Sequence, residues 1–352
     1  TGPVARGVTR RAIRASRHRL IAAVWVMLFT MASHGAQADS FSEVVITETG
    51  DDSVLKLVET SPIPEPGPGE VLIRVIAASA SYTDVMVRKG MYPGIDAELP
   101  YPPGYDLVGV VEKLGPGVTG VSTGQRVADL TVWGAYSEYV VRPAAGIVPV
   151  PDGLSSADAV SLVLAYVTAY QMLFRIADIK PGQSVLIHGA SGSVGTALSQ
   201  LGRTANLVMF GTASPSKHGP LRDYGVTPID YRSQDFVAEI DRATGGRGVD
   251  AAFDAIGVDN FARSYSALAS DGLLVTYGFY RATLSGESRM DVLGEFLHSR
   301  WQAFKWRWLP EQNKRATFYS ITEVRESQPQ WFQEDLARLF ELALAGEIDP
   351  LI

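Results

Sequence analysis

Three glycines lie at every third position in the stretch HGASGSVGTA, residues 188–197. Gly189, Gly192 and Gly195 follow a short apolar run and precede a segment typical of a helix. Glycine lets the backbone approach a pyrophosphate, and a helix N-terminus offers that charge unpaired N–H groups and a positive dipole. The same spacing fits a tight turn that only packs on a neighbour, so the surrounding elements must decide between the two.

Alternating strands and helices surround this glycine stretch. We predict strands over 185–188, 207–210, 227–230, 249–254 and 273–277, and helices over 194–204, 236–244 and 261–269. Such alternation implies a parallel, doubly wound sheet, the setting in which glycines at this spacing hold a dinucleotide. The residues expected to contact its phosphates are Ala190, Ser191, Gly192, Ser193, Val194 and Gly195.

The loop after the second predicted strand indicates which dinucleotide binds. Enzymes that use NAD place an acid there for the ribose 2′-hydroxyl, but the stretch LVMFGTASPSKHG, residues 207–219, contains none. Ser214 and Lys217 instead offer a donor and a cation for a 2′-phosphate, and Tyr231 adds a hydroxyl. The sequence therefore favours NADPH (NADP) as the cofactor. For Lys217 alone, the alternative is a surface lysine in a polar loop.

Residues 41–151 have a different pattern. Short runs of alternating apolar residues are separated there by glycine and proline, which predicts a compact β domain. A helical stretch, SADAVSLVLAYVTAYQMLFRIA, residues 156–177, follows it. The chain therefore begins with a β domain and continues into the alternating series.

Composition excludes several partners and sites. The formal net charge is −7, and because six arginines fall within the first 20 residues, the chain from residue 39 carries 25 basic against 38 acidic residues. Such an acidic body argues against nucleic acid as a partner. We expect Trp301, Trp306 and Trp308 to pack between subunits or domains rather than on bases. The absence of cysteine excludes disulfides and thiolate-ligated metals, and the five histidines are too scattered for a metal site.

The first 39 residues combine arginines, the apolar run LIAAVWVMLFTM and the segment SHGAQAD, in the order of a secretory signal peptide. The apolar run is shorter than the ~20 residues that cross a bilayer, so we predict no membrane span. The other interpretation is a spurious extension before a true start near residue 40. NADPH is a cytosolic cofactor, so we predict a cytoplasmic protein, with export as the alternative.

The order of the two domains, together with GEVLIRVIAASASYTDVMVRKGMYP, PPGYDLVGVVEKLGPGV, HGASGSVG and GTASPSKH, resembles the medium-chain dehydrogenase/reductase superfamily. Within it, the chain is similar to the zinc-independent quinone oxidoreductase and zeta-crystallin branch, including relatives of vesicle amine transport proteins. The resemblance implies an α/β fold, with an N-terminal GroES-like β-barrel domain and a doubly wound parallel-sheet Rossmann domain. It predicts a catalytic domain over 40–160, an NADP-binding domain over 161–325 and a return to the catalytic domain over 326–352.

The chain departs from that family at three places. Zinc-dependent members have Gly-His-Glu where this chain has Gly104, Tyr105 and Asp106, and their cysteine ligands are missing here, so neither zinc site is expected. Quinone reductases begin the active-site segment with Asn, where this chain has Ser81. The family also continues beyond GEIDPLI to complete the β domain, so we expect either a fragment or an incomplete catalytic domain.

The resemblance implies hydride transfer from NADPH to a small-molecule quinone or α,β-unsaturated carbonyl compound (EC class 1.6.5 or 1.3.1), without a metal to stabilise charge on the acceptor oxygen. Tyr92 is the first candidate for a donor to that oxygen, ahead of Ser81 and Tyr82, and each is alternatively a packed loop residue. Asp84 is expected to order this loop or the cofactor's ribose region, and the alternative is a purely structural hydrogen-bonding role. The remaining expected cofactor contacts are Thr168, Ile256, Gly278 and Phe279.

Two other functions stay open alongside the quinone or enone reductase, for which we expect a homodimer. One is a weakly catalytic NADPH-binding protein that handles lipids or membrane partners, as the vesicle-protein resemblance allows. The other is an enoyl reductase that acts on carrier-bound chains.

Overall fold

A computed structural model describes residues 39–92, 95, 97–280, 290, 294, 297–298, 300–302, 305–306 and 313–352. The interpretations of residues 1–38, and of Trp308 in the aromatic segment, lie outside the described residues. The chain divides into two units, residues 1–40 with Ser61–Ile63, and Phe41–Thr60 with Pro64–Ile352. In the first unit, Ile63 N donates to Asp39 O (3.1 Å). The three sheets and all the helices and strands described below belong to the second unit.

The N-terminal part of the second unit is antiparallel. Strands β1 (Phe41–Ile46) and β2 (Leu55–Thr60) form a hairpin. A five-stranded sheet has the order β6-β3-β4-β5-β7, and its strands are β3 (Glu70–Ala78), β4 (Asp106–Leu114), β5 (Arg126–Leu130), β6 (Tyr139–Pro143) and β7 (Val148–Pro149). Val71 and Ile73 of β3 and Leu107 and Val111 of β4 are fully buried in one apolar core, because the two-residue period of a strand places them on one face of the sheet. A short helix of about two turns, α1 (Tyr82–Arg88), follows β3.

The long apolar helix α2 (Ser156–Ile176) comes next. It is the one helix among the described residues that is long and apolar enough to cross a membrane, and 61% of its most apolar stretch is buried inside the protein, as in a core helix. Its hydrogen bonding widens to π-helical turns at Leu162–Tyr166 and Gln171–Ile176. Such turns are frequent at functional sites. Thr168 lies in the α-helical segment Val167–Tyr170 between them.

Six parallel strands form another sheet in the order β10-β9-β8-β11-β12-β13. They are β8 (Ser184–Ile187), β9 (Val208–Ala213), β10 (Val226–Asp230), β11 (Val249–Asp254), β12 (Leu268–Thr276) and β13 (Arg315–Phe318). The helices between them are α3 (Ser193–Thr204), α4 (His218–Asp223), α5 (Phe236–Thr244) and α6 (Val258–Ser266). This topology confirms the predicted parallel, doubly wound sheet. The strand order reverses between β8 and β11, and ligands bind at the carboxyl ends of the strands at such a reversal.

The C-terminal helices α7 (Ile321–Ser327) and α8 (Pro329–Leu344) return to the five-stranded antiparallel sheet. Arg325 Nη2 donates to Asp129 Oδ1 (2.5 Å) at the end of β5, and Gln333 Nε2 donates to Ala145 O (2.8 Å). Apolar residues of α8 share a core cluster with α2. The segment after β13 therefore contacts the five-stranded sheet and helix α2, while the domain limits at 160/161 and 325/326 stay predictions.

Candidate functional site

The glycine stretch forms a tight turn between β8 and α3. Gly189 has φ +61°, a conformation that favours glycine. A Cβ on Gly195 would lie 2.3 Å from Gly189 O and 2.6 Å from Ala190 Cα, so only glycine lets α3 pack this closely on the turn. Gly192 is the N-cap, and no side chain caps this 12-residue helix. The first N–H groups of α3 are therefore left for an anionic ligand at the switch point.

Buried polar side chains anchor this turn to the neighbouring strands. Gly189 N donates to Thr212 Oγ1 (3.3 Å), which lies 3.1 Å from His188 Nδ1. On the other side, His188 Nε2 lies 3.0 Å from Ser264 Oγ, which donates to Asp254 Oδ2 (2.6 Å). Burial lowers the pKa of His188, so the ring is neutral and accepts from Thr212 while donating to Ser264. The network fixes the carboxyl ends of β8, β9 and β11 relative to one another. Sequence reasoning missed it because His188 and Ser264 are 76 positions apart.

The structure brings together the three residues predicted for a 2′-phosphate. Ala213, the last residue of β9, pairs with Asp230, the last residue of β10. Ser214 and Tyr231 follow these two residues and therefore lie at adjacent strand ends. Lys217 is exposed in the short turn after Ser214, and its N donates to Ser214 O (2.9 Å). Tyr231 is 57% exposed. A cation and two hydroxyls thus share one edge of the sheet.

Sequence reasoning missed two charged residues at this edge. The Arg232 guanidinium lies 5.6 Å from the Tyr231 ring centroid and adds a second cation. Asp230 is an acid, but its two carboxylate oxygens accept from Ser233 Oγ (2.6 Å) and Arg232 N (3.1 Å) within its own turn. The Ser233 hydrogen bond lowers the pKa of Asp230. Both residues lie at or just after the end of β10, which is next to the loop after β9 because the two strands are paired. The proposed 2′-phosphate edge therefore includes the turn after β10 as well as the loop after β9.

The carboxyl ends of β11 and β12 form the next part of the edge. A Cβ on Gly278 would lie 3.1 Å from the Ala255 Cβ, so the two loops approach closely here. Ile256 is half-buried beside them. Phe279 is only 6% exposed, and its ring centroid lies 5.8 Å from that of Phe318 in the core. The predicted cofactor contact of Phe279 is therefore limited to its backbone, because its side chain is committed to the core.

Ser81 and Asp84 cap helix α1. Ser81 N and Oγ both donate to Asp84 Oδ2 (2.8 Å each), and Asp84 N donates to Ser81 Oγ (3.4 Å). Gly104 N and Tyr136 Oη also donate to the Asp84 carboxylate (3.2 and 3.4 Å). Burial raises the pKa of Asp84, and these hydrogen bonds lower it. The geometry favours an ordering role for Asp84 and gives Ser81 the same role, instead of that of a donor to substrate. The spacing Ser-x-x-Asp is itself a capping signal.

Tyr92 is paired with a second tyrosine. Tyr92 Oη lies 2.7 Å from Tyr105 Oη, and the rings meet edge to face at 5.8 Å and 76°. Tyr105 is fully buried, whereas Tyr92 is half-buried. Burial raises the pKa of both phenols, so both carry their protons at neutral pH. Sequence reasoning noted Tyr105 only as a departure from Gly-His-Glu and missed this pairing, because it depends on how two loops meet.

Thr168 belongs to a buried polar network between α2 and α8. Tyr319, beside Thr168, donates through its Oη to Gln171 Oε1 (2.8 Å). Gln171 Nε2 donates in turn to Asp335 Oδ2 (3.1 Å). Thr168 is only 6% exposed. Its contact with the nicotinamide end stays a prediction.

A contact between two tyrosines joins α1 to the edge of the parallel sheet. The Tyr82 ring centroid lies 4.9 Å from that of Tyr280, which follows Gly278 and Phe279. Met91 packs against the apolar cluster that contains Phe279. The loop that carries Tyr92 therefore lies beside the carboxyl end of β12. The glycine turn, the polar edge and the tyrosine pair are parts of one candidate site.

The position that carries metal ligands in zinc-dependent relatives has another role here. Asp106 Oδ1 accepts from Ser79 N (3.0 Å) and Ser79 Oγ (2.6 Å). Asp106 is 1% exposed, and burial raises its pKa to about 6. Within the described ranges, no three His, Cys, Asp or Glu side chains are grouped to hold a metal ion. Next to Tyr105, the Asp106 carboxylate therefore serves as a hydrogen-bond acceptor for Ser79.

Two protein-family models match this chain. The alcohol dehydrogenase GroES-like domain matches residues 67–152, and the zinc-binding dehydrogenase family matches residues 193–300. The first match confirms the predicted GroES-like character of the N-terminal domain. With the parallel sheet, the two matches confirm the predicted α/β fold class.

The chain is also similar to individual proteins. The rat synaptic vesicle membrane protein VAT-1 homolog is 40% identical over 238 residues, which cover 67% of this chain and 58% of that protein. The mouse VAT-1 homolog-like protein is 36% identical over 292 residues, which cover 82% of this chain and 68% of that protein. The chain thus spans a little over half the length of the rat protein and about two thirds of the mouse protein.

A solved structure has the same architecture. The quinone oxidoreductase of Escherichia coli, crystallised as a complex with NADPH, matches with a TM-score of 0.75 at 25% identity. The match covers 88% of this chain and 90% of that one.

Proposed function

This chain belongs to the medium-chain dehydrogenase/reductase superfamily, and we propose that it is an NADPH-dependent, zinc-independent oxidoreductase of quinones or α,β-unsaturated carbonyl compounds. One observation carries this proposal. The uncapped glycine turn after β8 lies at the carboxyl edge of a parallel sheet where its strand order reverses, and the segment before Tyr92 contacts the same edge through Tyr82 and Tyr280.

The site suits a dinucleotide on structural grounds. A side chain at Gly195 would collide with the turn, and α3 offers its first N–H groups to a pyrophosphate. The NADPH complex of the Escherichia coli quinone oxidoreductase supports the same cofactor here. The residues that would hold NADPH are Ala190, Ser191, Gly192, Ser193, Val194 and Gly195 at the phosphates, Ser214, Lys217 and Tyr231 at the 2′-phosphate, and Thr168, Ile256, Gly278 and the Phe279 backbone along the rest.

NADPH, when bound, supplies the hydride for the acceptor. Negative charge then develops on the acceptor oxygen, and Tyr92 Oη donates a proton to it. The O–H bond of Tyr92 breaks as an O–H bond forms on the acceptor, and water afterwards returns a proton to the phenolate. Ser81 and Asp84 act indirectly by holding α1 and the Tyr92 loop in place.

NADPH oxidation at 340 nm tests the proposal, with quinones, alkenals and carrier-type thioester enoyls as separate acceptors. We expect turnover with quinones or alkenals, and a large loss of kcat in Tyr92→Phe with little change in the affinity for NADPH. Turnover with thioester enoyls alone would identify an enoyl reductase of carrier-bound chains. Tight NADPH binding without turnover of any acceptor would contradict all reductase functions.

A second candidate rests on identity. The chain is 40% identical to the rat VAT-1 homolog but 25% identical to the quinone oxidoreductase. On that basis this chain would bind NADPH, reduce acceptors only slowly and contact lipids or membrane partners. Co-sedimentation of the full chain with anionic vesicles, measured with and without NADPH, separates this function from a reductase.

We also propose a homodimer in the cytoplasm that acts on a small molecule. Support for an intersubunit contact comes from Met290, Leu297 and Trp301, which are 72%, 59% and 60% exposed. The cytosolic supply of NADPH supports the location. Light scattering of the purified chain and fractionation of its source cells test the two statements, and a monomer or an exported protein would contradict them.

A further inference from the structure

Tyr105 is the buried partner of the proposed proton donor. Its side chain is 0% exposed, and its Oη lies 2.7 Å from Tyr92 Oη. The backbone holds it firmly, because Tyr105 O accepts from both Thr131 N (2.9 Å) and Val132 N (3.1 Å). The Tyr105 hydroxyl is therefore held in place and can orient the Tyr92 hydroxyl.

The burial of Tyr105 decides the direction of this hydrogen bond. A buried hydroxyl that keeps its proton unshared loses the hydrogen bond it had with water, which is costly. Among the described residues, Tyr92 Oη is the one hydrogen-bond partner of Tyr105 Oη, so Tyr105 donates to Tyr92. Tyr92 is half-buried, and its own proton is left for donation to a bound acceptor.

We propose that Tyr105 is a positioning residue for proton transfer, which turns the Tyr92 hydroxyl toward the acceptor and stabilises the phenolate that remains. This inference rests on the proposed function. When the Tyr92 O–H bond breaks and the acceptor gains the proton, the negative charge moves from the acceptor oxygen to Tyr92 Oη. Tyr105 keeps its own proton throughout and donates a hydrogen bond to that charge, until water reprotonates Tyr92.

The surroundings of the pair support this role. Burial raises the pKa of Tyr92, and the hydrogen bond from Tyr105 opposes that effect, so Tyr105 makes Tyr92 a better acid than burial alone would allow. The edge-to-face packing of the rings fixes the distance between the two oxygens. A phenylalanine at position 105 would keep this packing and remove only the donor.

A double-mutant cycle tests the inference with Tyr105→Phe, Tyr92→Phe and the double variant, in single-turnover reduction of the preferred acceptor. A hydrogen bond to a developing charge is worth about tenfold or more in rate. We expect Tyr105→Phe to lower the rate about tenfold and to leave the KM for NADPH within about twofold. Because Tyr105 acts through Tyr92, the double variant should be no slower than Tyr92→Phe. Equal additional losses in both backgrounds would show a merely structural role and overturn the inference.

A second measurement does not depend on turnover. In protein labelled at tyrosine ¹³Cζ, the Tyr92 resonance is the one that Tyr92→Phe removes, and it should shift in Tyr105→Phe. Tyr265→Phe is the matched control, since Tyr265 is also buried and donates to Lys314 O (3.1 Å) in another core cluster. It should change neither the Tyr92 resonance nor the rate.

An unchanged Tyr92 resonance in Tyr105→Phe would overturn the inference even if the rate fell. Wild-type rates in Tyr105→Phe would overturn it while leaving the reductase function intact. An inactive wild-type protein would instead overturn the proposed function, and this inference with it.

Discussion

The Tyr82 ring lies 4.9 Å from the Tyr280 ring, with the two planes inclined by 53°. Tyr82 is the first residue of α1, and Tyr280 follows the loop at the carboxyl end of β12. The contact therefore joins the loop of the proposed proton donor to the edge that would hold the cofactor. Their exposures of 36% and 45% place the pair at the mouth of the site.

We predict that this contact contributes to NADPH binding. Aromatic pairs contribute about 0.5–1.5 kcal/mol beyond the area they bury, and partial exposure places this pair at the lower end. Tyr82→Ala and Tyr280→Ala should each weaken NADPH binding about two- to threefold, and the double variant should lose less than the product of the two. Dissociation constants from NADPH fluorescence for the four proteins give the coupling. Strictly multiplicative losses would contradict it.

Gly195→Ala should abolish NADPH binding and destabilise the fold. The new Cβ would lie 2.3 Å from Gly189 O, and overpacking of this kind costs about 1–3 kcal/mol. Gly219→Ala is the matched control, since a Cβ there meets nothing within 4 Å and the residue is helical. Thermal unfolding and NADPH titration should show losses in the first variant only. Normal binding by Gly195→Ala would rule out the glycine turn as the phosphate site.

The predicted secondary structure was most accurate where local sequence signals mark both ends of an element. Helix α5 and strand β11 have the predicted limits, and α5 is framed by the Asp235 N-cap and by Gly245 at φ +62°. Strand β9 continues to Ala213, three residues beyond its predicted end. The stretch Gly-Thr-Ala has little strand preference of its own, and pairing with β10 extends the strand.

Non-local pairing also explains the largest error. The helix predicted over 261–269 ends at Ser266, and β12 begins at Leu268, well before the predicted Leu273. Asp271 has φ +64°, and the ladder with β11 shifts register between Val249 and Ala251. Such an irregularity depends on the partner strand, which a local pattern does not include.

The candidate site was predictable to a similar degree. The turn at Gly195 and the edge at Lys217 follow from the order of strands and helices, because carboxyl ends of parallel strands share one edge. The Tyr92–Tyr105 pair and the His188–Ser264 contact do not, because each depends on how separate loops meet in space.

Lys217→Ala and Arg232→Ala should weaken NADPH binding and leave NADH binding unchanged. A hydrogen bond to a charged group contributes about 1.5–3 kcal/mol, so we expect a tenfold or greater rise in the dissociation constant for NADPH with Lys217→Ala. Arg232, beside Tyr231, should have a smaller effect. Lys113→Ala is a control, because Lys113 lies in β4 and pairs with Glu65 in the loop before β3. Equal affinity of the wild-type protein for NADH and NADPH would refute the assignment of this edge.

Asp129→Ala should destabilise the protein by about 3 kcal/mol. The Asp129 carboxylate is 1% exposed and binds Arg142 (2.6 Å) and Arg325 (2.5 Å), so its loss leaves two partly buried cations without their shared partner. Glu112→Ala removes the half-exposed pair with Arg74 (3.4 Å) and should cost less than about 1 kcal/mol. Urea unfolding of both variants measures the contrast. Equal costs would contradict a special role for Asp129 in tying α7 to β5.

Asp106 should make the stability of the protein depend on pH between about 4 and 6. Burial raises its pKa in the folded protein to about 6, above the ordinary value of 3.8. The folded state therefore holds this proton more tightly than the unfolded state, and the resulting stabilisation is complete below pH 3.8 and is lost as the pH rises through about 6. The difference in pKa corresponds to at most about 3 kcal/mol.

Asp106→Asn keeps the oxygen that accepts from Ser79 but removes the titration. Relative to the wild-type protein, the variant should gain stability between pH 4 and pH 7, by up to about 3 kcal/mol, and should show no further gain at higher pH. Asp271→Asn is the control, because Asp271 is exposed and asparagine accepts its φ of +64° equally well. Urea midpoints at pH 4.5 and 7.5 for the three proteins measure the effect. A difference between Asp106→Asn and wild type that is the same at both pH values would show that Asp106 does not titrate in this range.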